Sequence, residues 1–435
     1  MTSVITSRAR HVAVIGLGAA GLVAVRELRR EGHTVIGFER EKHVGGLWVY
    51  TDRVEPDSLS VDPDRTIVHS SIYQSLRTNL PRECMGYSDF PFVTRSSDGD
   101  PRRYPDHREV LMYLQDFAKE FKIEDMIRFE TEVLCVEPSP ENNRKWRVQF
   151  KSSSGVSGED IFDAVVVCNG HFTEPRLAHI PGIESWPGKQ IHSHNYRIPD
   201  PFKDQVVIVI GSQASGNDIS TDIATIAKEV HISSKMVASD SYGFHCTGYK
   251  YHFPFLKTSG YVTVEDNRVG PLYKHVFPPA LAPGISFIGL PFMGLQFFMF
   301  EIQSKWVASV LSGRVKLPAE DKMMEEAIAF YSKLEDLGIP KRYTHFLTDP
   351  RGNPMLGTFK PEDAVVISQS DYFNWIAKQC GCTSIERWRE RLYNVAIKKV
   401  FFGGDSYRDR WDDDQLIEEV YREFAKLKPN QDCSS

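Results

Sequence analysis

Two glycine-rich turns carry the clearest chemistry in this sequence. Gly16-Leu17-Gly18-Ala19-Ala20-Gly21 follows the apolar run His11–Ile15 directly, and Glu39 ends the next apolar run, 18 residues after Gly21. Glycines at this spacing allow a tight turn, close approach of backbone to a pyrophosphate, and packing of a helix on a strand. The first turn of the helix offers unpaired N–H groups and a positive dipole end to phosphates. An acid at the end of the second strand accepts hydrogen bonds from ribose hydroxyls. The second turn is Gly211-Ser212-Gln213-Ala214-Ser215-Gly216, after the apolar run Gln205–Ile210. Gln213 replaces the middle glycine. The following strand, Val230–Ser234, ends in Ser233, Ser234 and Lys235 instead of an acid. A carboxylate there would repel a 2′-phosphate, whereas a lysine among hydroxyls accepts one.

The elements that must position these turns are legible around them. Leu22, Val23, Val25, Arg26, Leu28 and Arg29 continue a helix to Gly32, and Thr34–Phe38 is the second strand. The second unit predicts a helix from about Asn217 to Glu229. Two nucleotide folds in one chain indicate a flavoprotein, with FAD in the first and NADPH in the second, where the protein mainly provides positioning. Gly45-Gly46-Leu47-Trp48 fits either a plain turn before a core tryptophan or backbone passing close to a flat cofactor. Asp106 and Glu109 are spaced as a capping box ahead of an amphipathic helix through Val110, Leu111, Tyr113, Leu114, Phe117 and Phe121. Asp163 precedes the apolar Ala164–Val167 and Asn169-Gly170, a strand reaching toward the first site. Gly294-Leu295-Gln296 opens a helix from Phe297 to about Leu311, whose N-terminus would favour negative charge on a bound flavin. Leu416, Ile417, Val420, Tyr421 and Phe424 make an apolar stripe behind Trp411-Asp-Asp-Asp414, where the acids suit a helix start.

Between the two folds, Trp186-Pro-Gly188-Lys-Gln-Ile-His192-Ser-His-Asn-Tyr196 resembles the signature of flavin-containing monooxygenases, with Trp186 in the place of a phenylalanine. Ser75–Pro81, Tyr104–Leu111, Cys246-Thr-Gly-Tyr249 and Phe287–Pro291 resemble the plant S-oxygenating branch of that family. The resemblance implies an α/β fold with two Rossmann-like dinucleotide-binding domains, the NADPH domain inserted into a discontinuous FAD domain. The implied boundaries are 1–173 for the first part of the FAD domain, 174–245 for a shortened NADPH domain, and 246–435 for the second part with C-terminal helices. It implies FAD held by Gly16, Gly18, Ala19, Ala20, Gly21, Glu39, Gly46, Leu47, Trp48, Asn79, Val133 and Gln296. It implies NADPH held by His192, Gly211, Ser212, Ser215, Gly216, Ser234 and Lys235. It places Asn79 over the flavin C4a region, as the residue for the chemistry. The implied reaction passes hydride from NADPH to FAD, lets reduced FAD take O2 as a C4a-hydroperoxide, and oxygenates a thioether sulfur to the sulfoxide. Read alone, Trp186, Gly188 and His192 also fit a packed linker, Gln296 an ordinary polar helix residue, and Asn79 a loop cap.

One stretch departs from the family. Only ten residues, Met236 to His245, separate Lys235 from Cys246, where the family carries a longer segment that completes the NADPH sheet. A doubly wound nucleotide half needs a further strand, and Asp240–His245 is polar and interrupted. The expectation is a chain that lacks part of its NADPH domain, with weak NADPH binding and slow flavin reduction. The alternatives are an N-oxygenating or auxin-type flavin monooxygenase, and an impaired FAD-binding variant. A disulfide reductase would need a redox-active cysteine pair after Gly46, which is missing, and a Baeyer–Villiger enzyme would carry Trp-Pro where Tyr196-Arg197 stands.

The 435 residues are 41% apolar and 25% charged, with net charge −6, an ordinary globular composition. The pI of about 6.2 gives no basic face for nucleic acid. No run approaches about 18 apolar residues, so no membrane span is expected. The start lacks an apolar signal region, and the seven scattered cysteines read as free thiols. Together these point to the cytosol. No zinc motif, Ser-His-Asp set or paired-acid site stands out. The segment Lys341–Asp371 is rich in Pro and Gly and suits a surface loop over the substrate entrance. Substrate thioether and O2 are the expected partners.

Overall fold

The computed structural model describes residues 9–95, 99–142, 144–211, 213–233, 244–347, 368–402, 406–411 and 413–426. In chain order the strands are β1 (His11–Ile15), β2 (Thr34–Phe38), β3 (Ile127–Arg128), β4 (Thr131–Pro138), β5 (Trp146–Ser152), β6 (Ser157–Phe162), β7 (Ala164–Val167), β8 (Glu174–Pro175), β9 (Ile191–His192), β10 (Val206–Ile210), β11 (Glu229–Ser233), β12 (Phe244–His245), β13 (Tyr249–Lys250), β14 (Thr263–Glu265), β15 (Arg268–Gly270) and β16 (Ile285–Phe287). The helices are α1 (Ala19–Arg30), α2 (His107–Glu120), α3 (Ala214–Ala224), α4 (Gln296–Ser312), α5 (Glu320–Asp336), α6 (Gln369–Cys380), α7 (Arg387–Phe402) and α8 (Asp414–Lys426).

The first nucleotide fold is a parallel sheet in the order β16-β7-β1-β2-β3. Its central strands are apolar on both faces because helices cover one side and a second layer covers the other. Val12 and Val14 pack with α1 and α4, while Ala13 and Ile15 face the cluster containing Val136, Val148 and Phe162. That second layer is an antiparallel sheet, β4-β5-β6, which the sequence reading did not anticipate. Strand β16 returns from far along the chain to pair with β7, so the FAD domain is discontinuous, as expected from the resemblance.

The second fold is a smaller parallel sheet, β11-β10-β12-β9. Val207, Val209, Ile219 and Ile223 pack β10 against α3. Helix α3 starts three residues before the predicted Asn217, with Gln213 at its N-cap, and stops at Ala224, so that Glu229 belongs to β11. Strand β12, on the other side of β10, has only two residues. The capping box also differs. Asp106 accepts from the Arg108 N–H at 2.8 Å, but the Glu109 carboxylate accepts from the Asp100 N–H at 3.0 Å, so Glu109 ties a preceding loop to α2.

Candidate active site

The two glycine turns are built alike. Gly16 N donates to Phe38 O at 2.9 Å and Cys168 N to Ile15 O at 2.9 Å. In the second fold Gly211 N donates to Ser233 O at 2.7 Å and Cys246 N to Ile210 O at 2.8 Å. A methyl on Gly16 (φ +90°) would lie 2.7 Å from the Cys168 carbonyl, and one on Gly21 only 1.9 Å from the Gly16 carbonyl. The counterparts are 2.4 Å from Gly211 (φ +112°) to the Cys246 carbonyl and 2.0 Å from Gly216 to the Gly211 carbonyl. In both folds a chain from the third strand crosses directly under the turn, leaving room only for hydrogen. Both turns thus have the cradle that a dinucleotide pyrophosphate requires. The sequence signal for Cys168, under the first turn, is its place after the apolar Ala164–Val167; Cys246, under the second, opens the Cys246-Thr-Gly-Tyr249 stretch. Burial pushes both thiols up, Cys246 to about 12, so they are inert packing groups at neutral pH.

Glu39 sits where expected, at the end of β2. Its carboxylate is buried and accepts from Leu17 N at 2.8 Å and Glu41 N at 2.9 Å. Burial raises its pKa despite those two donors. A methyl on Gly46 would lie 2.9 Å from Gly18 Cα, so the Gly45-Gly46 pair lets the chain pass close to the first glycine turn. That approach is of one backbone to another, and Leu47 and Trp48 follow it half-buried in a short 3-10 turn.

Helices α1 and α4 run parallel. Near their starts Tyr87 donates to Ala19 O at 2.7 Å and packs on Phe297 with ring centroids 5.4 Å apart, while at the far ends Ser312 donates to Glu31 at 2.9 Å. Both N-termini, with Ala19, Ala20 and Gln296, therefore point to one end of the sheet, where their dipoles add. Buried charges lock the pair. Arg26 donates to Glu27 at 2.7 Å and lies 3.5 Å from Glu301, which accepts from Ser88 N at 2.7 Å and from Lys305 at 2.6 Å.

Asn79 is exposed on a loop held from several sides. Thr78 N donates to Pro105 O at 2.9 Å, and Tyr87, further along, donates to Ala19 O at 2.7 Å. Val133 is half-buried on β4 at a bulge in its pairing with β5. His192 is fully buried; its Nδ1 accepts from His194 N at 3.1 Å, and burial lowers its pKa to about 3. It therefore serves the linker as a neutral packing group in this conformation. His194 faces Glu55 at 3.2 Å, so the linker motif is tied to the FAD domain. Ser215 is exposed on the first turn of α3. Ser212, Ser234 and Lys235 lie outside the described residues, as does most of the segment expected over the substrate entrance. Among the described residues no cluster of His, Cys, Asp and Glu could hold a metal ion. No described helix is long and apolar enough to cross a membrane.

Two dinucleotide turns joined by this linker define a flavin-dependent oxidoreductase, and the chain belongs to the flavin-binding monooxygenase-like family, whose profile matches residues 9–239 and 240–349. It is an oxygenase enzyme, with FAD and NADPH as cofactors. Among its relatives is the flavin-containing monooxygenase FMO GS-OX-like 1 of Arabidopsis thaliana, 91% identical with all of both chains covered. Another is FMO GS-OX5 of the same plant, 59% identical over 96% of this chain and 95% of that one. The solved structure of S-allyl-L-cysteine S-oxygenase from Allium sativum matches with a TM-score of 0.89 at 49% identity, covering 97% of this chain and all of that one. The alignment with the 91% relative runs over 468 positions, against 435 residues here, so at least 33 positions have no residue of this chain. The profile match breaks at residues 239 and 240, inside the connection between β11 and β12.

Proposed function

We propose that this chain S-oxygenates thioethers to sulfoxides, using FAD in the Gly16–Gly21 turn and NADPH in the Gly211–Gly216 turn. The observation that carries the reading is the duplicated glycine cradle in a fold that matches an S-oxygenase along nearly its whole length. Bound FAD reduced by NADPH supplies the oxygen activation. The protein's tasks are positional. The parallel N-termini of α1 and α4 favour negative charge at the flavin end of the site. Glu39, oriented by its Leu17 and Glu41 donors, accepts ribose hydroxyls on its remaining lone pairs. The Asn79 amide donates a hydrogen bond at the reacting atoms without releasing a proton. Water exclusion there keeps the oxygen for the sulfur. The test is sulfoxide formation by FAD-loaded protein with NADPH, O2 and a panel of thioethers, amines and 2-oxo acids. Products from amines or 2-oxo acids alone would replace this reading with the N-oxygenating or auxin-type one.

A specific observation adds a second reading, in which the NADPH half reaction is slow. A parallel crossover normally takes a dozen or more residues and a helix, but only residues 234–243 connect β11 to β12, which sits on the far side of β10. Strand β12 has two residues where its counterpart β7 has four. Anaerobic mixing with NADPH, followed by flavin absorbance, tests this. Bleaching as fast as in the 91% relative would discard it.

A further inference from the structure

We propose that Arg408 is a positioning residue that fixes the Asn79 loop to the nucleotide helix of the second domain. Its side chain is 13% exposed and that of Asp218 is 19% exposed. Arg408 Nη1 and Nη2 donate to Asp218 at 2.9 and 2.7 Å, a two-point contact, and its Nε donates to the backbone carbonyl of Thr78 at 2.9 Å. Thr78 is the residue before Asn79, and Asp218 lies on α3, just past Gly216 of the second glycine turn. A single guanidinium thus joins the loop that carries Asn79 to the helix that follows the second glycine turn. Only arginine offers this geometry, because its planar fork can serve a carboxylate along one edge and a carbonyl with the remaining N–H.

The surroundings keep the strut in place. Tyr73 donates to the same Asp218 at 3.0 Å, and Ser75 and Tyr196 both donate to Asp222, one turn on, at 2.6 Å each. Next to Arg408, Asp409 pairs with Arg77 at 2.8 Å, and Arg77 Nε donates to Tyr104 O at 2.9 Å. The loop 73–79 is thereby clamped between α3 and the turn between α7 and α8. Occupation of the second cradle is then transmitted to Asn79 through α3, Asp218, Arg408 and Thr78.

The inference rests on the role given above to Asn79, and the experiment separates the two. In FAD-loaded full chain, Arg408→Gln and Asp218→Asn should each speed hydrogen exchange of the Thr78 amide at least threefold, with bound FAD per chain unchanged. Saturating NADP⁺ should slow that exchange in the parent and not in either variant. The double variant should match Arg408→Gln alone, because losing the guanidinium already breaks its ties to both Asp218 and Thr78, and asparagine at 218 keeps an acceptor for Tyr73. With NADPH and S-allyl-L-cysteine as probe, the variants should divert severalfold more electrons to hydrogen peroxide, and Arg408→Lys should recover part of the sulfoxide yield. Unchanged Thr78 exchange in both single variants, or additive effects in the double, would overturn the inference. Altered exchange with unchanged peroxide partition would instead overturn the role of Asn79.

Discussion

Replacing Gly18 by alanine separates a nucleotide site from a mere tight turn. Gly18 has φ −76° and ψ −165°, backbone that any residue adopts. A methyl there would lie 3.5 Å from its nearest neighbour, Gly46 Cα, an ordinary contact. The deflavinated protein should accept Gly18→Ala without loss, and gain about 0.4–1 kcal/mol from a less flexible unfolded chain. A pyrophosphate at this turn requires the backbone to come close at the second glycine. A methyl holds the phosphate off and weakens a charge-assisted bond worth about 1.5–3 kcal/mol. That loss corresponds to about 10- to 150-fold in FAD affinity. The assay is FAD titration of deflavinated protein by flavin fluorescence, with thermal unfolding of the same sample. Parent-like FAD affinity in a folded Gly18→Ala protein would refute the assignment of this turn to the pyrophosphate. Gly21→Ala is the contrasting control. Its methyl would sit 1.9 Å from the Gly16 carbonyl, so it should lower the unfolding temperature even without FAD.

Asn79→Ala should keep FAD and NADP⁺ binding and lower sulfoxide turnover about 10-fold or more, with hydrogen peroxide as the product that replaces it in a peroxidase-coupled assay. Stability should fall as pH drops below about 6.5, because burial lowers the pKa of both His192 and His275 to about 3 and only the unfolded chain takes the proton. Each contributes a slope of about 1.4 kcal/mol per pH unit between those values. His192→Asn, which can still accept from His194 N, should remove one such slope in urea unfolding of the deflavinated protein at pH 7, 6 and 5. Glu301→Gln weakens the bonds from Ser88 and Lys305 and leaves Arg26 less compensated; a loss of about 2 kcal/mol is expected, read by the same unfolding assay. Flavin reduction by NADPH should be slower than in the 91% identical relative, and reduction by dithionite should be equal in the two.

The parts of the fold legible in the sequence are those set by local rules. Strand β1, helix α1 and strand β2 follow from apolar runs broken by Gly16–Gly21, and α8 from its stripe, of which Leu416, Val420 and Phe424 are buried as expected while Ile417 is half-buried and Tyr421 exposed. The β4-β5-β6 sheet is not legible locally because β4 and β6 lack a regular apolar/polar alternation, and its partner face exists only once Val136 and Phe162 meet Ala13 and Ile15 of β1. The linker motif implies that His192 helps hold NADPH; its full burial depends on how the linker packs, which no local pattern records. Arg408 belongs to no motif in the sequence. Its three acceptors lie 190 and 330 positions away in the chain, so only the folded chain reveals it. The shortage after Lys235 was legible because a nucleotide half has a fixed number of strands, and the break in the profile match falls at the same place.

The most direct test of thioether S-oxygenation is to follow NADPH consumed and sulfoxide formed together, using purified, FAD-loaded full chain with S-allyl-L-cysteine under isotope-labelled dioxygen. The account predicts sulfoxide that carries label from O2, depends on NADPH, and accumulates slowly but in step with NADPH loss. Loss of NADPH with no labelled sulfoxide from this or any other thioether would contradict it.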